Sequence, residues 1–252
     1  MKTIHRAVRR WFDGVVARLI TPPPTASHPL GHRARYKDVW NDLASSSDSA
    51  KMHVAGYLDE DELMRQARAT VDVLRRYMGF GPSDVVLEIG CGIGRVGHVL
   101  APQCAEWIGT DISGNMLAVA ADRLRGVPHV RLVELSQVGL AEIPERSVDR
   151  VYCTVVFMHL YEWDRYRYLR EAFRVLRPGG RAYFDNVDVT SSHGWKKFME
   201  TAEMAPDKRP AHVSMVSTGD ELETYARRAG FDDVAIHRFH DAWVAVTGTK
   251  TG

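Results

Sequence analysis

Residues 84–97 read DVVLEIGCGIGRVG, and the reading of this stretch decides the fold. Val85, Val86, Leu87 and Ile89 surround a single carboxylate, Glu88, and glycines follow at 90, 92, 94 and 97. An apolar strand that runs into a glycine turn and opens a helix is the ligand-binding turn of an α/β sheet. Two frames fit it. From Gly92 the spacing is G-x-G-x-x-G, that of a dinucleotide turn, whereas from Glu88 it is E-x-G-x-G-x-G. Electrostatics separates them. A diphosphate at the helix N-terminus would face Glu88 across a partly dry cleft, and like charges ~4 Å apart cost about 4 kcal/mol at an effective dielectric near 20. A ligand that carries an ammonium and a sulfonium is instead attracted by the same carboxylate. The second frame also keeps Gly90 and Cys91 out of the strand.

Strands and helices alternate from Asp84 onward. DVVLEIG, EWIGTD, HVRLVEL, SVDRVYC and GRAYFDN read as strands, and DDVAIHRF with AWVAVTG as an antiparallel pair after the helix TGDELETYARRAG. The expected fold is α/β and doubly wound: a mostly parallel seven-stranded sheet, helices on both faces, and an antiparallel C-terminal strand pair. Ligands then bind beyond the carboxyl ends of the strands, where strand order reverses. Asp111 closes the second strand, and an acid there can accept both hydrogen bonds of a ribose diol. Its structural alternative is to cap the next helix, for which Ser113 is better situated.

Residues 1–79 read as an N-terminal helical extension or lid with a proline-rich linker near 21–31, and residues 80–252 as the ligand-binding domain. MKTIHRAVRRWFDGVVARLI is a basic amphipathic helix suited to its own domain, a dimer mate or a membrane surface. LASSSDSA reads as a polar loop. DEDELMRQARATVDVLRRYMG reads as a helix with an acidic first turn, late arginines and Gly79 as its stop. The 252 residues carry 33 Lys+Arg against 32 Asp+Glu, and a net charge of +1 gives no global field to attract nucleic acid. The 45% hydrophobic content suffices for one sizeable core. Cys91, Cys104 and Cys153 are odd in number and lack metal-ligand spacing, so they read as buried thiols of a cytoplasmic protein. No apolar run approaches the ~20 residues of a membrane span.

In chain order, VVLEIGCGIGR, GTDISGNML, SVDRVYCTVVFMHL, REAFRVLRPGGRAYFDN and LETYARRAGFDDV resemble the class I, Rossmann-like S-adenosylmethionine-dependent methyltransferases. The resemblance covers residues 57–247. It implies S-adenosyl-L-methionine as cofactor, with Glu88, Gly90, Cys91, Gly92 and Gly94 on its methionine and ribose side. It implies Asp111 on the ribose hydroxyls, and Ile112 and Met116 beside the adenine. After the third strand the family often carries an acid for the adenine amino group. VELSQVGL puts Ser136 and Gln137 there, so the adenine contact is expected from these two.

Methyl transfer is an in-line displacement at a sulfonium, so the protein must align the acceptor and, for a hydroxyl, supply a base. His159, just past the fourth strand, is the candidate base because histidine titrates near neutrality. The fifth strand ends in YFDNVD; Asp185 is expected to act with His159, and Asn186 and Asp188 to hold acceptor hydroxyls. An Asp–Asn pair here resembles the magnesium ligands of the catechol-type O-methyltransferases. Met158 and His159 stand where a further aspartate would complete that set, and histidine is a poor ligand for Mg²⁺. Magnesium on Asp185 and Asn186 is therefore the less favoured alternative. Tyr161, Trp163, Trp195 and His193, with Trp40 and Tyr57 from the lid, offer stacking faces and polar edges to an acceptor. The long segment near 188–217 is expected to fold over it. The expected activity is O-methylation of a small hydroxylated acceptor, a saccharide or oligosaccharide ahead of a phenol. N- or C-methylation of a small metabolite is the nearest alternative, and a non-catalytic S-adenosylmethionine-binding regulatory protein is an alternative of another class. A homodimer through the N-terminal helix is the assembly to expect if one forms.

Overall fold

The structure, a computed structural model, describes residues 35–252; the expectations for the N-terminal helix and the proline-rich linker lie outside the described residues. Three helices come first, α1 (Tyr36–Leu43), α2 (Ser47–Ala55) and α3 (Glu60–Tyr77). The alternating part follows: β1 (Val85–Ile89), α4 (Arg95–Leu100), β2 (Glu106–Asp111), α5 (Gly114–Arg123) and β3 (Val130–Glu134). Then come β4 (Val148–Cys153), α6 (Glu162–Val175), β5 (Leu176–Val187), α7 (Ser192–Ala202), α8 (Gly219–Ala229), β6 (Asp232–Phe239) and β7 (Trp243–Thr249).

The seven strands form one sheet in the order β3-β2-β1-β4-β5-β7-β6. β1 to β5 pair in parallel, and β7 runs antiparallel to both β5 and β6. The doubly wound expectation and its antiparallel C-terminal pair are both met. Strand order reverses between β1 and β4, so the crevice forms beyond their carboxyl ends.

Helices cover both faces of the sheet, which is why its central strands are apolar almost without interruption. α6 and α8 bury Leu169, Ala172, Leu222 and Ala226 on one face. On the other, α3, α4 and α5 bury Leu74, Leu100, Leu117 and Ala120 around Trp107. Two glycines make the slot for that indole: a Cβ on Gly97 or on Gly109 would stand 2.4 or 2.2 Å from its ring. A third, smaller cluster of Ala44, Ala50, Ile93 and Met116 ties α1 and α2 to the glycine turn.

One local expectation needs correction. LASSSDSA is not a loop throughout, because α2 begins at Ser47 within it. Ser46 caps the helix by accepting from the Ser49 amide at 3.1 Å, Asp48 occupies the first turn, and Gly56 ends it in the left-handed conformation. The serines that look like loop residues are the start signal of a helix whose Ala50 is fully buried.

α6 carries a fully buried arginine, Arg165. Its Nε donates to the Phe157 carbonyl at 2.8 Å, and its Nη1 donates to Ser217 Oγ at 2.7 Å and Glu221 Oε1 at 3.0 Å. It clamps the short turn Phe157–His159 to the end of the 188–217 segment and to α8. Glu221 keeps some contact with solvent, so removing the buried arginine costs up to about 3 kcal/mol, which for a chain this size is a fall in Tm of up to about 6–12 °C. Arg165→Ala should show that loss in a thermal melt followed by circular dichroism; an unchanged Tm would contradict the clamp.

Candidate active site

The turn after β1 is shaped by glycine. Gly90, Gly92 and Gly94 all take positive φ, at 72°, 53° and 72°. Such values favour glycine and let the backbone bend sharply into α4. The turn is pinned by the end of β2: the Gly92 amide donates to Asp111 Oδ2 at 2.8 Å, and the Ser113 amide donates to Oδ1 at 2.9 Å. Ser113 also caps α5, accepting from the Met116 amide. Asp111 thus fixes the turn while keeping acceptor capacity for a ligand, and burial pushes its carboxyl above the usual range.

Glu88 is held from the core. Trp107 Nε1 donates to Tyr152 Oη at 3.0 Å, and Tyr152 Oη donates to Glu88 Oε2 at 2.6 Å. Burial pushes Glu88 up to about 7, with the Tyr152 hydrogen bond and the Arg95 charge working against that rise. Arg95, the first residue of α4, lies almost wholly inside, and its Nη1 is buried without a hydrogen-bond partner. Burial draws its guanidinium below the ordinary value, while the charges of Glu88, Tyr152 and Asp185 raise it.

A pocket of about 860 Å³, measured to its open mouth, lies over this turn. Glu88, Gly90, Cys91, Gly92, Asp111, Ile112 and Met116 line it, as the resemblance implies. Gly94 does not; its bare Cα instead makes room for Leu124, which would stand 2.9 Å from a Cβ. Cys91 contributes backbone, because its sulfur turns toward Gly109, where a Cβ would meet it at 3.0 Å. Burial pushes the Cys91 thiol well up. Ser136 and Gln137 are exposed and stand outside the lining, with Leu135 and Val138 lining it on either side of them.

The opposite wall comes from α1, α2 and the turn after β4. Trp40, His53, Val54, Val156 and His159 line it. His159 Nδ1 lies 3.0 Å from the His212 carbonyl, and the Trp40 ring stands edge-on to the imidazole at 4.9 Å. His212 belongs to the 188–217 segment, whose Met215 amide also donates to the Met158 carbonyl at 2.7 Å. This segment is therefore strapped to the His159 turn at two points.

The carboxyl end of β5 behaves differently from the reading of YFDNVD. Asp185 is buried but does not line the pocket: it accepts from the Val155 amide at 2.9 Å and from Tyr183 Oη at 3.1 Å. Burial pushes Asp185 up to about 7. Val155 has φ +62°, a strained setting for a β-branched residue, and Asp185 holds the turn that contains it. Asn186 points to the other face of the strand and donates to Ser217 Oγ at 2.7 Å. Asp188 accepts from Thr190 and from Arg238 Nε at 3.0 Å. The side chains of Asp185 and Asn186 leave opposite faces of β5 toward different partners, so the two do not converge on one cation, and the described residues contain no group of three or more His, Cys, Asp or Glu arranged to hold a metal. Tyr161 is buried outside the lining and stacks on Trp163, which is exposed; Trp195 and His193 lie exposed on α7, and Tyr57 is exposed outside the pocket.

Sequence reasoning missed Arg95, Val54 and His53. Arg95 carried a signal, as the first residue after the glycine turn, but it looks like an ordinary basic helix position. His53 and Val54 were hidden by the loop reading of LASSSDSA.

The arrangement fits the ligand that the resemblance implies. Two buried carboxylates suit an ammonium and a ribose diol, and the orphaned Arg95 Nη1 suits a carboxylate in a cleft where it has no protein partner.

Comparison with known proteins extends this. A methyltransferase-domain family matches residues 87–184. The 27-O-demethylrifamycin SV methyltransferase of Amycolatopsis mediterranei is 31% identical over 202 residues, 77% of this chain and 71% of that protein. Methyltransferase GfsG of Streptomyces halstedii is 29% identical over 160 residues, 61% of this chain, which spans only 57% of that relative's length. Among solved structures, magnesium protoporphyrin IX methyltransferase from Synechocystis shares the fold at a TM-score of 0.64 and 16% identity, covering 85% of this chain and 98% of that one. A relative 31% identical over 77% of this chain and 71% of its own length shares far more than one turn, and the protein belongs to the class I S-adenosylmethionine-dependent methyltransferase family.

Proposed function

We propose that the protein methylates a hydroxyl oxygen of a small acceptor, with His159 as general base. S-adenosylmethionine, when bound, supplies a methyl group made electrophilic by its sulfonium. Glu88 would hold its ammonium, Arg95 Nη1 its carboxylate and Asp111 its ribose hydroxyls, with Ile112 and Met116 beside the adenine.

One observation carries the choice of base. A carbonyl can only accept, so the 3.0 Å contact to His212 keeps the proton on Nδ1 of neutral His159 and leaves the lone pair on Nε2. That nitrogen would take the hydroxyl proton as the acceptor oxygen bonds to the methyl carbon and the carbon–sulfur bond breaks, the sulfur leaving as a neutral thioether. The turn that carries His159 is set by Arg165 at the Phe157 carbonyl and by Asp185 at the Val155 amide, so base and pocket are fixed before an acceptor arrives. Asp185 supports the base through the backbone in this reading rather than by touching the acceptor.

His159→Ala should lower kcat by about 10²–10⁴-fold while leaving S-adenosylhomocysteine affinity nearly intact. Residual activity should rise with pH as the acceptor ionises unaided, and EDTA should change little. Full activity in the variant together with loss in EDTA would instead support a metal mechanism.

Asp111→Ala removes a charged acceptor for two ribose hydrogen bonds and loosens the Gly92 amide. Calorimetry should show S-adenosylhomocysteine affinity falling by about tenfold or more. Unchanged affinity would count against Asp111 as a ribose ligand.

Glu88 makes binding pH-dependent. Its carboxyl sits at about 7 in the cofactor-free fold, above the unfolded value of 4.5. Its contribution to the stability of the empty protein is therefore fully present below pH 4.5 and lost as pH rises through 7. A ligand ammonium calls for the ionised form, so affinity runs the opposite way. S-adenosylhomocysteine should bind up to about tenfold more tightly at pH 8 than at pH 6, and Glu88→Gln should flatten that slope. An equal slope in the variant would remove Glu88 as its source.

A further inference from the structure

We infer that the acceptor of this site is a predominantly apolar molecule presenting an isolated hydroxyl, and not a saccharide. The inference deepens the methyl-transfer reading and rests on it. It comes from the wall that faces the glycine turn.

Both bare glycines at the pocket face valines. A Cβ on Gly90 would stand 2.4 Å from a Val156 methyl, and one on Gly92 would stand 3.2 Å from a Val54 methyl. Trp40 and Leu160 continue this surface, with the indole edge-on to His159. The wall around the candidate base is thus hydrocarbon and aromatic.

The Tyr36 hydroxyl in this wall is already engaged. Tyr36 Oη donates to Asp164 Oδ2 at 2.8 Å and accepts from the Tyr161 amide at 3.1 Å. The side chains that would have served a sugar lie elsewhere: Asn186 is bound to Ser217, and Asp188 to Thr190 and Arg238.

The polar character left near His159 is concentrated in a second imidazole. His53 Nδ1 lies 2.8 Å from the Ser49 carbonyl, so its neutral ring also carries the lone pair on Nε2. The His53 ring stands edge-on to His212 at 5.5 Å. A site of this kind can orient one or two oxygens. A saccharide has a hydroxyl on nearly every carbon, and most would be stripped of water without receiving a partner. An apolar body with one isolated hydroxyl loses little on entry and gains from every methylene or ring face it buries.

Two sources share this chemistry, aromatic and aliphatic alcohols, and the test separates them. Protein saturated with S-adenosylhomocysteine would be titrated with 2-naphthol, 1-decanol and methyl α-glucopyranoside, with binding followed by saturation-transfer NMR and calorimetry. At least one apolar alcohol should bind at least about tenfold more tightly than the glucoside. Trp40→Ala should weaken that binding by about fivefold or more, and Trp40→Phe, which keeps an aromatic wall, should retain it within about threefold. A preference for 2-naphthol assigns the aromatic source, and a preference for decanol the aliphatic one; either supports the proposal. Glucoside binding as tight as that of both alcohols overturns it, as does alcohol binding indifferent to both Trp40 variants. Those results would leave the methyl-transfer reading standing, because that reading is judged by S-adenosylhomocysteine affinity and by His159.

Discussion

A carboxylate at the carboxyl end of a central strand is the constraint around which this protein is arranged. Glu88 must be buried to sit at the sheet's switch point, and burial works against its charge. The fold answers with a relay from its core: an indole wedged between two glycines, a tyrosine from the neighbouring strand, and then the carboxylate. Arg95 supplies the opposite charge from the first turn of α4. The same glycines that accommodate Trp107 therefore determine where the pocket carboxylate points. Core packing and site geometry here are one problem.

The second half of the site is built by backbone restraint. β4 ends in a turn that contains a strained valine, and two buried side chains, Asp185 and Arg165, converge on it together with the returning 188–217 segment. Each contributes a hydrogen bond to main chain rather than a side chain to the pocket. That is why residues with conspicuous chemistry at the end of β5 stand behind the site. Strands alternate their side chains between faces, so Asp185 and Asn186 are neighbours in sequence and opposites in space.

This alternation also explains what was legible in the sequence. The glycine turn and the places of Glu88 and Asp111 at the pocket could be read because they are written in spacing: a strand, a turn that needs positive φ, and an acid one strand later. Sheet order followed from the β/α alternation. His159 was legible because it comes just past a strand end. The partners of Asn186 and Asp188 were not, since Ser217 and Arg238 lie 31 and 50 residues away in the chain. Trp195 failed for another reason: an aromatic residue on a helix can face either water or the site, and α7 presents this one outward. His53 was lost with the helix that carries it, because serine marks both loops and helix starts.

Cys91 illustrates how the site protects itself from its own chemistry. A sulfonium methyl donor alkylates the best nearby nucleophile, and a thiolate is a far better one than an alcohol. This chain has a cysteine in the very turn that lines the pocket. Its sulfur is directed into the sheet against Gly109, and burial together with the Asp111 and Glu88 charges keeps it in the protonated form. The residue can thus supply backbone to the turn and volume to the core without becoming a site of suicide modification. Control over where the methyl group goes begins with the silencing of this sulfur, before any acceptor is recognised.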